Sequence, residues 1–135
     1  MGYCMQQIND KFCIKVENQE GALKAIKDLA GGETIKDASG LHYSWVITEE
    51  FLKAKTLDKA IKAWNWYVYI DDVGDMRDIE FLGEKLGDDE ILFSAIAPFV
   101  DEGSYIEMDG EDGSKWRWIF SEGKCIEKSA TISWE

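Results

Sequence analysis

The sequence predicts one α+β domain spanning 1–135: a mainly antiparallel sheet, about three helices, and a C-terminal three-stranded meander. Three observations predict it. Apolar residues alternate in short runs, as half-buried strands require. Between these runs, other apolar residues recur at i, i+3, i+4 and i+7, which marks helices with one buried face. The last three runs are joined by the Gly-containing turns DGEDG and SEGK, which suit antiparallel hairpins. A chain of 135 residues with 45% apolar content can bury a core without a disulfide or a structural metal.

The elements follow in order. KFCIKV places Phe12, Ile14 and Val16 on one face, so a first strand is predicted over 8–16. A helix follows over 20–30, with Leu23, Ile26 and Ala30 on one side, Asn18 at its start and Gly31-Gly32 at its end. After a polar loop over 33–40, LHYSWVI reads as a strand with Tyr43, Trp45 and Ile47 on one face. Thr56 caps a helix over 56–64 whose inward residues are Leu57, Ala60, Ile61 and Trp64. WYVYI, apolar on both faces, reads as a central strand over 66–70, with 78–82 as its hairpin partner. Asp88 caps a helix over 89–97 that Pro98 terminates. The closing strands are expected over 104–109, 115–121 and 124–133. Trp116, Trp118 and Phe120 then share the inner face, and Arg117 stands outside near Glu107 or Glu127. The predicted core comprises Trp45, Ile61, Trp64, Val68, Phe81, Leu92, Ile96, Ile106, Trp118 and Ile132.

Charge is the most informative feature. The net charge is −12. Residues 1–70 hold nine acidic and nine basic side chains, whereas 71–135 hold eighteen and six. Within 71–112, fifteen acids face only Arg77 and Lys85. Such a field repels nucleic acid and attracts a basic partner. A solvated surface that only keeps the protein soluble is the competing explanation.

Chemical motifs are sparse. The acidic stretches DDVGDMRD and DGEDGS lack the spacing of a calcium loop and read as turns, so no metal is expected. GGETIKD has neither Walker lysine nor dinucleotide fingerprint, so no cofactor is expected. His42 is the only histidine, and no nucleophile elbow is present. Glu107, between Ile106 and Met108, is the best carboxylate for acid–base work. Cys4, Cys13 and Cys125 are odd in number and form no C-x-x-C pair, which fits reduced thiols in a cytoplasm. No run approaches the length of a membrane helix, and MGYCMQQINDKF is not a secretory signal.

In size, acidity and α+β order the chain resembles small acidic proteins of bacteria and phages that act by binding another protein. Immunity proteins that neutralise nuclease toxins are one such group. DNA mimics that block restriction or CRISPR nucleases are another. The resemblance implies an intracellular, non-catalytic inhibitor of a basic partner such as a nuclease. The residues expected to contact that partner are Asp71, Asp72, Asp75, Asp109, Glu111 and Asp112, all in hairpin turns. If these acids serve only binding, neutralising them leaves stability unchanged or slightly raised. The alternatives are a small carboxylate enzyme using Glu107 and His42, or an accessory domain holding a small molecule in an aromatic pocket.

Overall fold

A computed structural model describes residues 3–29, 36–37, 40–41 and 53–129. Strand β1 is Tyr3–Lys11, and helix α1, Gln19–Asp28, follows a 3-10 turn at Val16–Asn18. Strands β2 (Lys36–Asp37) and β3 (Gly40–Leu41) form a minimal pair. Then come α2 (Leu57–Lys62), β4 (Trp66–Ile70), β5 (Met76–Phe81), β6 (Lys85–Leu86) and α3 (Asp89–Ile96). The chain closes with β7 (Tyr105–Gly110), β8 (Lys115–Ser121) and β9 (Lys124–Ser129).

The fold is α+β. Five strands form an antiparallel sheet in the order β6-β1-β7-β8-β9, and β7-β8-β9 is the expected meander. Alternation builds its inner face: Ile106, Met108, Trp116, Trp118 and Phe120 are all buried. Against them pack Leu92, Phe93 and Ile96 from α3, and Ile26 and Ala22 from α1. Gly21 lets α1 approach closely, because a Cβ there would sit 2.4 Å from the Phe99 ring. The outer face pairs opposite charges across the strands. Arg117 lies opposite Glu107 and bonds it at 2.7 Å, while Lys115 lies opposite Asp109 at 3.3 Å.

Several boundaries differ from the sequence expectation. The first strand begins at Tyr3 and stops at Lys11. Phe12 and Ile14 are buried as expected, but Ile14 makes only an isolated bridge to Met76, and Val16 is exposed. The polar run QQIND forms most of the strand and faces polar and apolar residues of β7 in turn: Gln6 faces Asp109 and Asn9 faces Glu107, whereas Gln7 faces Met108 and Asp10 faces Ile106. WYVYI is not central to the large sheet. It pairs only with β5, and Tyr67, Tyr69 and Ile70 are exposed. Thr56 and Asp88 occupy N-cap positions, but neither side chain makes a capping hydrogen bond. Helix α3 ends at Ile96, and Pro98 lies in the 3-10 turn that follows.

Of the predicted core, Ile61, Trp64, Val68, Leu92, Ile96, Ile106 and Trp118 are buried and Phe81 is half-buried. Trp45, Ile132, His42 and all but Leu41 of the LHYSWVI strand lie outside the described residues.

Candidate functional site

The six turn acids separate into two groups. The 71–75 turn lies beside Ile14 and Val16, beyond the Lys11 end of β1: Met76 bridges Ile14, and Asp75 accepts the Val16 N–H at 2.9 Å. The 110–114 turn lies at the other end, where Glu111 accepts the Cys4 N–H at 2.7 Å and Asp112 accepts the Tyr3 hydroxyl. Cys4 and Lys11 are seven residues apart on β1, roughly 23 Å at the usual strand rise. The two turns therefore do not make one patch.

Most of these acids are also committed to partners within the fold. Asp71 accepts the N–H groups of Val73 and Asp75 at 3.0 Å each, and Arg77 Nε at 3.0 Å. Burial pulls its carboxyl upward, but the bonds to Arg77 and those two N–H groups outweigh it and hold the net value below the usual range. Asp112 accepts the Ser114 N–H, and its Tyr3 and Ser114 bonds hold it low too. Asp109 pairs with Lys115. Asp72 alone of the six takes no part in a described hydrogen bond or ion pair. Neutralising all six would therefore cost stability, contrary to the sequence expectation.

A different place gathers carboxylates without cations. Between β1 and β5 lies a cleft of about 530 Å³, lined by Gln7, Ile8, Asp10, Tyr69, Asp78 and Glu80 among others, with no Lys, Arg or His. Both strands are irregular here. In β1 the register slips between Gln7 and Asn9, leaving Ile8 as an extra residue. In β5 two residues, Arg77 and Asp78, stand opposite the single Tyr69. Such bulges bend a strand and re-aim its side chains. Asp78 is at φ +139°, which costs an L-residue about 1–3 kcal/mol.

Side chains close the cleft floor in place of a backbone ladder. Gln7 Nε2 donates to the Ile79 carbonyl at 2.7 Å, and Gln7 Oε1 accepts the Phe81 N–H at 2.8 Å. One carboxamide thus copies the donor and acceptor of a peptide unit. Asp10 accepts Gln7 Nε2 at 3.2 Å and the Ile79 N–H at 3.4 Å. Burial, and then the Asp78 carboxyl within hydrogen-bonding reach, raise Asp10 to about 6. Tyr69 donates its hydroxyl to Glu80, which raises the phenol.

The Asp10 shift has a definite pH signature. Its folded value lies above the ordinary 3.8, so its contribution to stability is full below about 3.8 and lost as pH rises to about 6. Asp78, Glu80 and Tyr69 are the other titratable groups facing it. Asp10→Asn is expected to remove this loss. Urea midpoints measured from about pH 4 to about pH 7 should fall less in the variant than in the parent. Equal slopes would show that Asp10 titrates normally.

The other sequence candidates lie outside this cleft. Glu107 lies on the outer sheet face, where Arg117 Nε bonds it at 2.7 Å. Two of the half-buried thiols are not activated: burial, then Glu90 and Glu127, push Cys125 up to about 12, and burial and Asp101 raise Cys13. Among the described residues no three His, Cys, Asp or Glu side chains are placed to hold a metal ion. No described helix is long and apolar enough to cross a membrane. Sequence reasoning missed the cleft. Its only local trace was the polar run QQIND, which lacks the alternation of a strand. Comparison with known proteins finds no matching family, no matching curated protein and no matching solved structure.

Proposed function

We propose that the protein is an acidic, non-catalytic binding protein that inhibits or neutralises a basic, nucleic-acid-binding protein such as a nuclease. One observation carries this reading. Arg77, one of two basic residues among the fifteen acids of 71–112, is already taken by Asp71 and Asp75, at 3.0 and 3.6 Å. The excess negative charge is thus left for an outside partner, and like-charge repulsion within the fold is relieved when a basic surface arrives. The same field disfavours direct contact with nucleic acid.

The test is capture of basic proteins on the immobilised chain, with elution by salt steps and by duplex DNA. Under this reading the retained proteins are basic. They release steeply with salt, and DNA competes for them because both ligands occupy a phosphate-binding surface. Retention that ignores both salt and DNA would overturn it.

The Asp10–Asp78 pair favours a second reading, a small carboxylate enzyme. Two neighbouring carboxyls with one value raised provide a proton donor and a charged partner. Here Asp10 would supply the proton, not Glu107. Hydrolysis of simple glycosides with a pH limb near 6 that Asp10→Asn abolishes would support it. No turnover above the Asp10→Asn variant would sink it.

A further inference from the structure

The apolar surface of the molecule is distributed unevenly. The large hydrophobic side chains exposed among the described residues are Ile8, Val16, Tyr67, Tyr69, Ile70, Val73, Leu82 and Ile126. Five of these belong to the β4–β5 hairpin, its turn and the residue after it. Ile8 lines the adjoining cleft, and Val16 lies against Gly74 of the hairpin turn. Only Ile126 is elsewhere. Scattered exposed apolar residues are ordinary, whereas a concentration rimmed by polar groups marks an interaction surface.

The chemistry of the rim is specific. Tyr67 and Tyr69 both face solvent from β4, with ring centroids 4.8 Å apart and planes at 79°. Tyr67 lies opposite Glu80, and Tyr69 donates to the same carboxylate. Asp78 and Asp10 continue the carboxylates into the cleft, and no cation among its lining residues answers them. The outer face of the large sheet is the internal contrast. There Glu107 and Asp109 have Arg117 and Lys115, and Arg117 already covers the Tyr105 ring at 4.8 Å. The hairpin thus offers aromatic faces and carboxylates of the same kind, but its one arginine, Arg77, is paired with Asp71 and Asp75, and the cleft lining holds no cation.

We propose that the outer face of the β4–β5 hairpin, together with the cleft beside it, is the docking surface for a basic segment of a partner protein. An arginine or lysine side chain of that segment would enter among Asp10, Asp78 and Glu80, and its aliphatic neighbours would cover Tyr67, Tyr69 and Val73. Charge complementarity selects this occupant. A guanidinium pairs with carboxylate and stacks on tyrosine at once. A second copy of the chain would bring carboxylates against carboxylates. The proposal rests on the basic-partner reading above and gives that partner a place to bind that is not the hairpin turns.

The experiment is a nitrogen-15 amide titration of the full chain with the peptide acetyl-Arg-Leu-Arg-Leu-amide, and with acetyl-Glu-Leu-Glu-Leu-amide as control. The expected result is movement of the amides of 8–10, 67–70 and 78–80 with the basic peptide only. Tyr67→Ser with Tyr69→Ser should weaken the peptide about tenfold, with the amide spectrum of the free variant showing that the fold is kept. Glu80→Gln, which removes the charge alone, should weaken it in the same direction. Shifts confined to 110–114 would overturn this surface and leave the basic-partner reading standing. Shifts nowhere would overturn both. Dilution-dependent shifts at 67–70 without peptide would identify a second copy as the occupant and overturn the proposal.

Discussion

Trp118→Ala is expected to destabilise the fold by about 3–5 kcal/mol, the usual cost of deleting a fully packed aromatic. Trp118 is 1% exposed and stands at the meeting point of the sheet, the hairpin and α3. Its ring lies 5.0 Å from Phe93, 5.9 Å from Trp116 and 6.2 Å from Trp66. No single neighbour can move to fill the cavity, because each is fixed by a different element. Trp118→Phe is the informative companion. The Trp118 indole N–H finds no acceptor among the described residues, so phenylalanine removes an unsatisfied donor while keeping most of the ring contact. Urea denaturation followed by circular dichroism reads both. A loss under 1 kcal/mol for Trp118→Ala would show that this cluster is not the centre of the core.

The second large effect is expected at Asp89. This carboxylate is 4% exposed at the start of α3, and it holds two groups in place. It accepts Trp66 Nε1 at 2.8 Å and the Gly87 N–H at 2.9 Å. Burial raises its pKa, against the opposing effect of those two bonds. Asp89→Ala strands both donors, each at about 1–3 kcal/mol, so a net loss of roughly 2–4 kcal/mol is expected once the cost of burying the carboxylate is removed. Thermal or urea unfolding measures it. A neutral result would mean that Trp66 and Gly87 find other acceptors, and that α3 does not depend on this anchor.

These two residues show what could be read from the sequence and what could not. Trp118 was legible, because WRWIF alternates with period two and a strand converts that directly into an inner and an outer face. That Arg117 meets a cross-strand acid was legible for the same reason, but the choice of Glu107 over Glu127 waited on the register. Asp89 was not legible, because an acid in the first turn of a helix reads as exposed, and Asp88 takes the N-cap position beside it. Its role depends on Trp66, which arrives from a strand distant in sequence. The cleft was hidden for a related reason. Asp10 and Asp78 acquire meaning only through two bulges, and a bulge leaves almost no compositional mark. The turn acids drew notice because turns predict exposure. Exposure held for Asp72, Glu111 and Asp112, but Asp71 and Asp112 fold back onto N–H groups of their own turns, and Asp75 and Glu111 accept the N–H groups of Val16 and Cys4 from distant segments.

The seam between β1 and β5 bears on aggregation. An open strand edge is a template on which a stray chain can add itself, and small sheets are vulnerable to it. Here both edges carry an irregular residue, and the backbone groups of Ile79 and Phe81 are occupied by Gln7. An intruding strand would have to displace that carboxamide, straighten two bulges and bury the carboxylates of Asp10 and Asp78. The device that opens the cleft to a cationic side chain thus closes it to a backbone. The exposed tyrosines of β4 thus lie beside a seam that resists strand addition.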